Sequence, residues 1–218
     1  MNGKIKVGIV GTGNLVGIAS AHLEGYLSAD KVVVAAVYDK VREIAEDWCK
    51  AKGLRDVVVC ETFDKLLSMV DAVSICTPNY THVGYAVVAL EAGKHVLCEK
   101  PIDVPGDDLA KLERICRSTS AINMMGFSYR KIPALKLLKS LISDGVVGEI
   151  YIYRHTMGGS RLSNPAIPFE WRMDRNMSGT GALGDFGSHM LDMATFLIGD
   201  EAELFQEFSG FASTFIKK

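Results

Sequence analysis

The first residues whose types and spacing suggest chemistry form a glycine-rich turn at positions 11–17, Gly-Thr-Gly-Asn-Leu-Val-Gly. Between a strand and a helix, such a turn lets backbone N–H groups and the helix dipole hold a pyrophosphate. Asp39 follows the second predicted strand, where a carboxylate can accept hydrogen bonds from ribose hydroxyls and repel a 2′-phosphate. The pattern predicts a dinucleotide site that favours NAD, and Lys40 leaves NADP open. Glycines that only turn the chain, with a solvated Asp39, are the alternative.

Two more polar segments follow predicted strands. Residues 77–82 leave the fourth strand, and residues 99–101 leave the fifth. The carboxyl ends of parallel strands share one edge, where open α/β sheets bind ligands, so we expect both segments to line one crevice. Pro78 and Pro101 restrict φ and make rigid exits from their strands. This favours Lys100 as a placed cation over an ordinary surface lysine.

A third group lies near the end of the chain. Asp185, His189 and Asp192 occur at helical spacing, so they share one stripe of a predicted helix. A carboxylate one turn before a histidine can orient the ring or share substrate hydroxyls with it, and imidazole moves protons near neutral pH. The pair predicts acid/base chemistry. A hydrogen-bonded exposed face and a metal site are the alternatives, and a nearby Lys100 would oppose a bound cation.

The elements that position these residues follow from the apolar pattern. Alternating or continuous apolar residues predict strands at 4–10, 31–38, 57–60, 72–76 and 95–98. Helical spacing predicts helices at 14–27, 41–49, 63–69 and 82–91. This alternation predicts a parallel sheet with helices on both faces. Residues 1–125 are therefore predicted to form a Rossmann-type α/β domain.

The remaining residues, 126–218, are predicted to form a partial α+β domain for substrate. A helix with apolar residues between Ala134 and Ile142 is followed by a turn at Asp144-Gly145 and an aromatic strand at Glu149–Thr156. Glycine, proline and asparagine then dominate residues 158–168. This stretch predicts a long loop of the kind that is usually functional.

The composition excludes several other classes of protein. With 48% hydrophobic and 23% charged residues, the chain is an ordinary globular protein rather than a disordered or disulfide-rich one. The balance of 24 basic and 26 acidic residues gives no footprint for nucleic acid. Five cysteines without C-x-x-C spacing favour neither zinc nor a redox motif, and indicate a cytoplasmic location. The longest apolar run, Val32–Val37, is too short for a membrane span, and we expect no signal peptide.

Taken in order, these motifs resemble those of the Gfo/Idh/MocA family of NAD(P)-dependent oxidoreductases, over essentially the whole chain. The most specific elements are the Glu-Lys-Pro tripeptide and the Asp-x-x-x-His pair. The matching positions are Gly11-Thr12-Gly13, Asp39, Thr77-Pro78-Asn79 with His82, Glu99-Lys100-Pro101, Gly126-Phe127 with Arg130 and Pro133, Gly148-Glu149-Ile150, Trp171-Arg172 and Gly184-Asp185-Phe186-Gly187-Ser188-His189.

The resemblance implies a Rossmann domain followed by an α+β domain that binds substrate and often forms homo-oligomers. It implies sugars, inositols or related polyols as substrates, with Lys100 near the nicotinamide, His189 as acid/base and Asp185 holding substrate. The expected cofactor-binding residues are Gly11, Thr12, Gly13, Asn14, Leu15, Asp39, Lys40, Thr77, Pro78, Asn79, His82, Glu99 and Lys100. The expected substrate-binding residues are Lys100, Arg130, Trp171, Arg172, Asp185 and His189, with no metal.

Three features depart from the family pattern. Val16 interrupts the glycine fingerprint, Tyr129 stands where many relatives carry an arginine, and the chain stops at Lys218 before the second sheet would be complete. We therefore expect a truncated protein with weak or absent activity. Two other functions stay open: an NAD-dependent glycosidase of the same fold, and a non-catalytic protein that senses NAD(H).

Overall fold

The computed structural model describes residues 3–13, 17–102, 104, 108–160, 164–199, 207 and 209–214. The chain divides into two compact units, Met1–Gly126 and Phe127–Lys218. Two predicted cofactor ligands, Asn14 and Leu15, lie outside the described residues together with Val16. Among the described helices, none has both the length and the apolar character needed to cross a membrane.

The first unit is built on six parallel strands in the order β3-β2-β1-β4-β5-β6. This is the strand order of the doubly wound Rossmann fold, so the predicted fold class is confirmed. The order reverses between β1 and β4, which opens a crevice at their carboxyl ends. The strands are β1 Ile5–Val10, β2 Val32–Tyr38, β3 Val58–Val59, β4 Ala72–Ile75, β5 His95–Cys98 and β6 Asn123–Met125.

The observed strands differ from the predicted ones mainly at one edge of the sheet. β1, β2, β4 and β5 agree with the prediction to within one residue at each end. The predicted strand at 57–60 is shorter, because β3 lies at the edge and pairs only with β2, at Val58 and Val59. β6 closes the other edge, and its sequence Asn-Met-Met carries no β-branched residue that would have marked it as a strand.

Five helices in the described part of the first unit pack against this sheet. Their bounds are α1 Ile18–Leu27, α2 Arg42–Ala51, α3 Phe63–Leu67, α4 His82–Glu91 and α5 Leu109–Ser118, and a short 3-10 turn at Asn79–Thr81 precedes α4. α2 buries Ala45, Trp48 and Cys49 on one side, which confirms its predicted amphipathic face. The predicted start of the first helix at residue 14 lies outside the described residues.

Apolar residues cover both faces of the sheet. Ile9 and Val10 are adjacent in β1 and each is fully buried, yet they belong to different buried clusters. Because neighbouring side chains of a strand point to opposite faces, β1 must be enclosed on both sides. Ile9 packs with Ala19 and Leu23 of α1. This enclosure holds the carboxyl ends of the strands in a rigid frame.

The second unit is helical where it is regular. Its helices are α6 Pro133–Ser143, α7 Arg175–Ser178 and α8 Ser188–Ile198, with 3-10 turns at Ser128–Lys131 and Trp171–Met173 and a π turn at Leu183–Gly187. α6 confirms the helix predicted from Ala134 to Ile142, and Pro133 begins it, where a missing N–H leaves no bond unmade. α8 buries Met193, Ala194 and Leu197.

The predicted strand at Glu149–Thr156 is wrong. These residues form no strand in the structure. Tyr151 and Ile152 are 83% and 80% exposed, and no described segment pairs with their backbone. An extended segment becomes a strand only when a neighbour supplies the other half of its hydrogen bonds, so sequence propensity alone was insufficient here. The described part of the predicted loop at 158–168 contains no helix or strand, as expected.

Candidate active site

The glycine turn begins where β1 and the segment after β4 approach each other. Gly11 has φ of +83°, and a Cβ atom there would lie 2.5 Å from Thr77 Cγ2 and 2.8 Å from the Thr77 backbone nitrogen. Both the conformation and the space therefore require glycine at this position. Gly13 has φ of +53° and no atom within 4 Å of the Cβ position, so only its conformation favours glycine.

Asp39 holds this turn from the end of β2. Its Oδ2 accepts hydrogen bonds from the Thr12 backbone nitrogen at 2.9 Å, the Thr12 hydroxyl at 3.1 Å and the Gly13 nitrogen at 3.3 Å. Its Oδ1 accepts one from the Val41 nitrogen at 3.1 Å. The two predicted parts of the cofactor site thus lie together, and the carboxylate stabilises the turn directly. Lys40 is exposed beside it.

The segment after β4 is tied down by its own side chains. The Thr81 hydroxyl donates to Thr77 Oγ1 at 2.6 Å or to the Pro78 carbonyl at 2.8 Å. Asn79 is buried. His82 is only 1% exposed, and its two ring nitrogens lie 2.8 Å from the Thr77 carbonyl and 2.7 Å from the Pro101 carbonyl. His82 therefore links the two segments that were predicted to line one crevice.

The segment after β5 carries the Glu-Lys-Pro tripeptide. The Lys100–Pro101 peptide bond is cis. Lys100 is half-buried, and its backbone nitrogen donates to Glu99 Oε2 at 3.3 Å. Because Cys76 N bonds to the Val10 carbonyl and Glu99 N to the Ile75 carbonyl, the ends of β1, β4 and β5 are stepped along one edge. Gly11, Thr77 and Lys100 therefore follow neighbouring strands, as the sequence predicted.

A buried polar chain behind this edge was missed from the sequence. His22 Nε2 lies 2.9 Å from Glu99 Oε1, and His22 Nδ1 lies 2.6 Å from Ser74 Oγ. The Tyr26 hydroxyl lies 2.9 Å from the same Ser74 oxygen. One sequence signal was available, since Ser74 is the single polar residue in the buried strand Ala-Val-Ser-Ile. A buried hydroxyl of this kind needs hydrogen-bond partners.

Two thiols near these hydrogen-bonded side chains are unreactive. Burial raises the pKa of the Cys76 thiol far above its ordinary value, and the neighbouring Glu99 carboxylate raises it further. Burial likewise raises the pKa of the Cys98 thiol, with a smaller contribution from Glu99. Both groups stay protonated at neutral pH, so neither is a nucleophile. All five cysteines are free.

The second unit places the predicted histidine against aromatic rings. His189 is the second residue of α8 and is 8% exposed. The Tyr129 ring stacks on its imidazole with centroids 4.3 Å apart and planes 13° apart, and Phe127 meets it edge-on at 6.2 Å. The stack holds the plane of the imidazole ring. Tyr129, a departure from the family pattern, is thus a direct neighbour of His189.

Asp185 lies on the π turn that precedes α8. Local π geometry inside a helical segment is uncommon and is often found at functional sites. Leu183, at the start of this turn, is 65% exposed. His189 and Asp192 lie on α8 directly after this turn, so the three residues predicted to share one stripe occur on consecutive helical segments.

Asp192 has a structural partner. Its Oδ1 lies 2.9 Å from Arg130 Nε and 2.7 Å from Arg130 Nη2, and the Asp192 side chain is 3% exposed. The pair connects the 3-10 turn at Ser128–Lys131 to α8, so Arg130 stabilises the platform on which His189 lies. The Arg172 guanidinium stacks on the Trp171 ring at 4.4 Å. Contact of Arg130, Trp171 and Arg172 with substrate stays a prediction.

The predicted catalytic residues are divided between the two units. Lys100 lies at the sheet edge of the first, and Asp185 and His189 lie at the start of α8 in the second. The described cofactor-binding residues all lie in the first unit: Gly11, Thr12, Gly13, Asp39, Lys40, Thr77, Pro78, Asn79, His82, Glu99 and Lys100. Their roles toward ligands stay predictions.

Known proteins are similar to this chain in sequence and in structure. Curated relatives include levoglucosan dehydrogenase from Pseudarthrobacter phenanthrenivorans, 37% identical over 131 residues that cover 60% of this chain and 34% of the relative. Glucose-6-phosphate 3-dehydrogenase from Bacillus subtilis is 34% identical over 194 residues, covering 88% of this chain and 53% of the relative. The crystal structure of an NAD-binding protein from Listeria innocua superposes with a TM-score of 0.71 at 32% identity, covering 89% of this chain and 55% of that one.

The chain thus spans about half the length of the relatives with which it aligns along most of its own length. Residues 5–127 match the model of an oxidoreductase family with an NAD-binding Rossmann fold. Residues 135–218 match the C-terminal domain model of the same family. With the strand order, the glycine turn bonded to Asp39 and both domain models in agreement, this chain belongs to the Gfo/Idh/MocA oxidoreductase family.

Proposed function

We propose that this chain carries the cofactor site and the proton-transfer residues of an NAD-dependent dehydrogenase that oxidises a CH–OH group of a sugar, inositol or related polyol. One observation carries the proposal: Asp39 is hydrogen-bonded to the Thr12 and Gly13 amides at the carboxyl edge of a Rossmann sheet. The family membership and the sugar dehydrogenases among the relatives support the substrate class.

The first unit fits a nicotinamide dinucleotide. The turn at Gly11–Gly13 follows β1 at the carboxyl edge of the sheet, and its Thr12 and Gly13 amides hold the Asp39 carboxylate there for ribose hydroxyls. The same carboxylate disfavours a 2′-phosphate, which supports NAD as the preferred cofactor. Exposed Lys40 supplies a cation near this carboxylate that would still allow NADP to bind, with lower affinity than NAD.

The reaction has a simple balance. The substrate C–H bond breaks and its electron pair leaves as hydride, the O–H proton goes to a base, and a carbonyl forms. When bound, the nicotinamide supplies the hydride acceptor. His189 is the base, since imidazole accepts a proton near neutral pH, and its ring plane is held by Tyr129. Lys100 stabilises the developing alkoxide charge, and Asp185 binds a substrate hydroxyl.

A screen of sugars and polyols for NAD reduction tests this function. We expect turnover with at least one cyclic polyol or sugar, and its loss in the His189→Ala variant. His155→Ala is the matched control, because His155 is another histidine of the second unit, and its described side-chain hydrogen bond is with Tyr153. The control should keep full turnover.

Two results would contradict the proposal. Equal turnover of the native and His189→Ala chains would remove His189 as the base. Tight NADH binding with no turnover on any substrate, unaffected by changing Lys100, Asp185 and His189 together, would favour the NAD(H)-sensing protein instead.

We also propose a cytoplasmic homo-oligomer, and sedimentation of the chain tests its association state.

A further inference from the structure

Lys100 lies between two residues that are each bonded to a histidine. On its amino side, Glu99 is bonded to His22 of α1. On its carboxyl side, the Pro101 carbonyl is bonded to His82 of α4. The two helices pack on opposite faces of the sheet, because their buried residues belong to different apolar clusters. Each face of the sheet therefore contributes one contact to the Glu-Lys-Pro tripeptide.

The direction of the hydrogen bonds at His22 follows from chemistry. An ionised carboxylate only accepts, so the proton between His22 and Glu99 lies on Nε2. With one proton on the ring, Nδ1 accepts from the Ser74 hydroxyl, and the Ser74 oxygen can accept from the Tyr26 hydroxyl. In that arrangement three donors point in series toward Glu99. Both His22 and Glu99 side chains are 11% exposed, so the carboxylate has little water and depends on this donor.

The Glu99 carboxylate lies against backbone at both of its oxygens. A Cβ at Gly126 would lie 2.6 Å from Glu99 Oε1, so the carboxylate already packs against this backbone. The other carboxylate oxygen, Glu99 Oε2, accepts a hydrogen bond from the Lys100 backbone nitrogen at 3.3 Å. The carboxylate is therefore enclosed by His22, Gly126 and the backbone that it bonds.

His82 acts on the other side. Its ring is 1% exposed and lies between the Thr77 and Pro101 carbonyl oxygens at 2.8 and 2.7 Å. Both oxygens are acceptors, so the ring donates to one as neutral imidazole and to both as imidazolium. The imidazolium bonds both oxygens, and the neutral ring protonated on Nδ1 keeps the bond to Pro101, so each of these forms joins α4 to the segment that follows β5.

We propose that His22 and His82 are positioning residues that together hold the backbone of Lys100 for catalysis. This inference rests on the proposed function, in which Lys100 contacts the reacting groups. A lysine ammonium sits on a flexible stem, so its average place depends on where its backbone is anchored. A misplacement of about 1 Å at a reacting group can lower the rate roughly 100-fold.

The test compares histidine variants in the 218-residue chain. His22→Ala removes the donor to Glu99, and His22→Gln keeps an N–H that can reach it. His82→Ala removes the link between the two carbonyls. His95→Ala is the matched control, because His95 begins β5 at the end of the strand far from Lys100, and its described side-chain hydrogen bond is accepted from the Ile122 amide. Tyr26→Phe removes the outermost hydroxyl of the chain with almost no change in volume.

Turnover and cofactor binding are measured together. We expect His22→Ala and His82→Ala to lower kcat roughly 10- to 100-fold. His22 is not one of the predicted cofactor-binding residues, so His22→Ala should leave NADH affinity within about threefold of the native value. His22→Gln should recover part of the loss, and His95→Ala should match the native chain. A kcat equal to that of the native chain in both His22→Ala and His82→Ala would overturn the proposal.

A second readout does not need activity. Hydrogen exchange of the Lys100 amide should become faster in His22→Ala and stay unchanged in His95→Ala, since Glu99 accepts from that amide. Unchanged exchange in His22→Ala would overturn the positioning role even if the enzyme is active. If instead Lys100→Met keeps full turnover, the proposed function fails, and faster exchange in His22→Ala still supports the anchoring of this backbone. Where His22→Ala does not fold, Tyr26→Phe gives the same exchange comparison.

Discussion

Gly11 and Gly13 differ in a way that allows a controlled test of the glycine turn. Both have positive φ, at +83° and +53°. A side chain at Gly11 would also meet the Thr77 backbone at 2.8 Å, whereas Gly13 has open space around its Cβ position. Alanine at either position should therefore be destabilised by its positive φ. Only alanine at Gly11 should also be destabilised by a steric clash.

The magnitudes follow from these distances. The left-handed conformation costs about 1–2 kcal/mol for a residue with a Cβ. Forcing an added methyl group into packed surroundings costs about 1–3 kcal/mol more. We expect Gly13→Ala to lower the unfolding free energy by about 1–2 kcal/mol and Gly11→Ala by about 2–5 kcal/mol.

Urea denaturation of the two variants and the native chain measures both effects. The m-values should agree among the three proteins, so the midpoints report stability directly. Because the Gly11→Ala clash separates β1 from the segment after β4, this variant should also bind NADH more weakly than Gly13→Ala. Equal midpoints for the two alanine variants would refute the close approach of Gly11 to Thr77.

Two further predictions concern the buried groups. Arg130→Ala leaves the Asp192 carboxylate, which is 3% exposed, without the cation that pairs with it in the structure. The unfolding free energy should fall by about 3 kcal/mol, the lower end for a broken buried pair, because Arg130 is partly exposed. In urea denaturation, the double variant Arg130→Met with Asp192→Leu should regain most of this loss, and no regain would contradict the assigned pair. Burial raises the pKa of the Cys76 and Cys98 thiols, so the folded chain holds their protons more tightly than the unfolded chain. Their contribution to stability should be complete below the unfolded thiol pKa of about 8.5 and decline as pH rises above it; urea midpoints at neutral and alkaline pH check this, and Cys98→Ala should reduce the alkaline decline.

The alternating strands and helices of the first unit were predictable because each carries its own pattern. β1 alternates, β2 is continuously apolar, and α2 repeats its apolar residues at helical spacing. β6 was not predicted as a strand because Asn-Met-Met has no strand signal. The predicted strand at Glu149–Thr156 failed for the opposite reason, since aromatic and β-branched residues favour a strand that needs a partner to form.

The residue types of the site were predictable, but their mutual contacts were not. Motif spacing placed Gly11, Gly13 and Asp39 at one sheet edge, yet the bond from the Gly13 amide to Asp39 crosses 26 positions. The His22–Glu99 bond joins positions 77 apart. Such pairs depend on strand order and helix rotation, which no local pattern specifies. The stack of Tyr129 on His189 is hidden in the same way, because the sequence identifies Tyr129 only as a departure.

The central claim, that the turn held by Asp39 binds a nicotinamide dinucleotide, is tested most directly by titrating the native chain and Asp39→Ala with NADH and NADPH. Loss of a charged hydrogen-bonding partner typically costs about 1.5–3 kcal/mol. We therefore expect NADH to bind the native chain more tightly than NADPH, and its affinity to fall by roughly 10- to 100-fold in Asp39→Ala, with NADPH affected far less. Equal affinity of the native chain and Asp39→Ala for NADH would contradict the account.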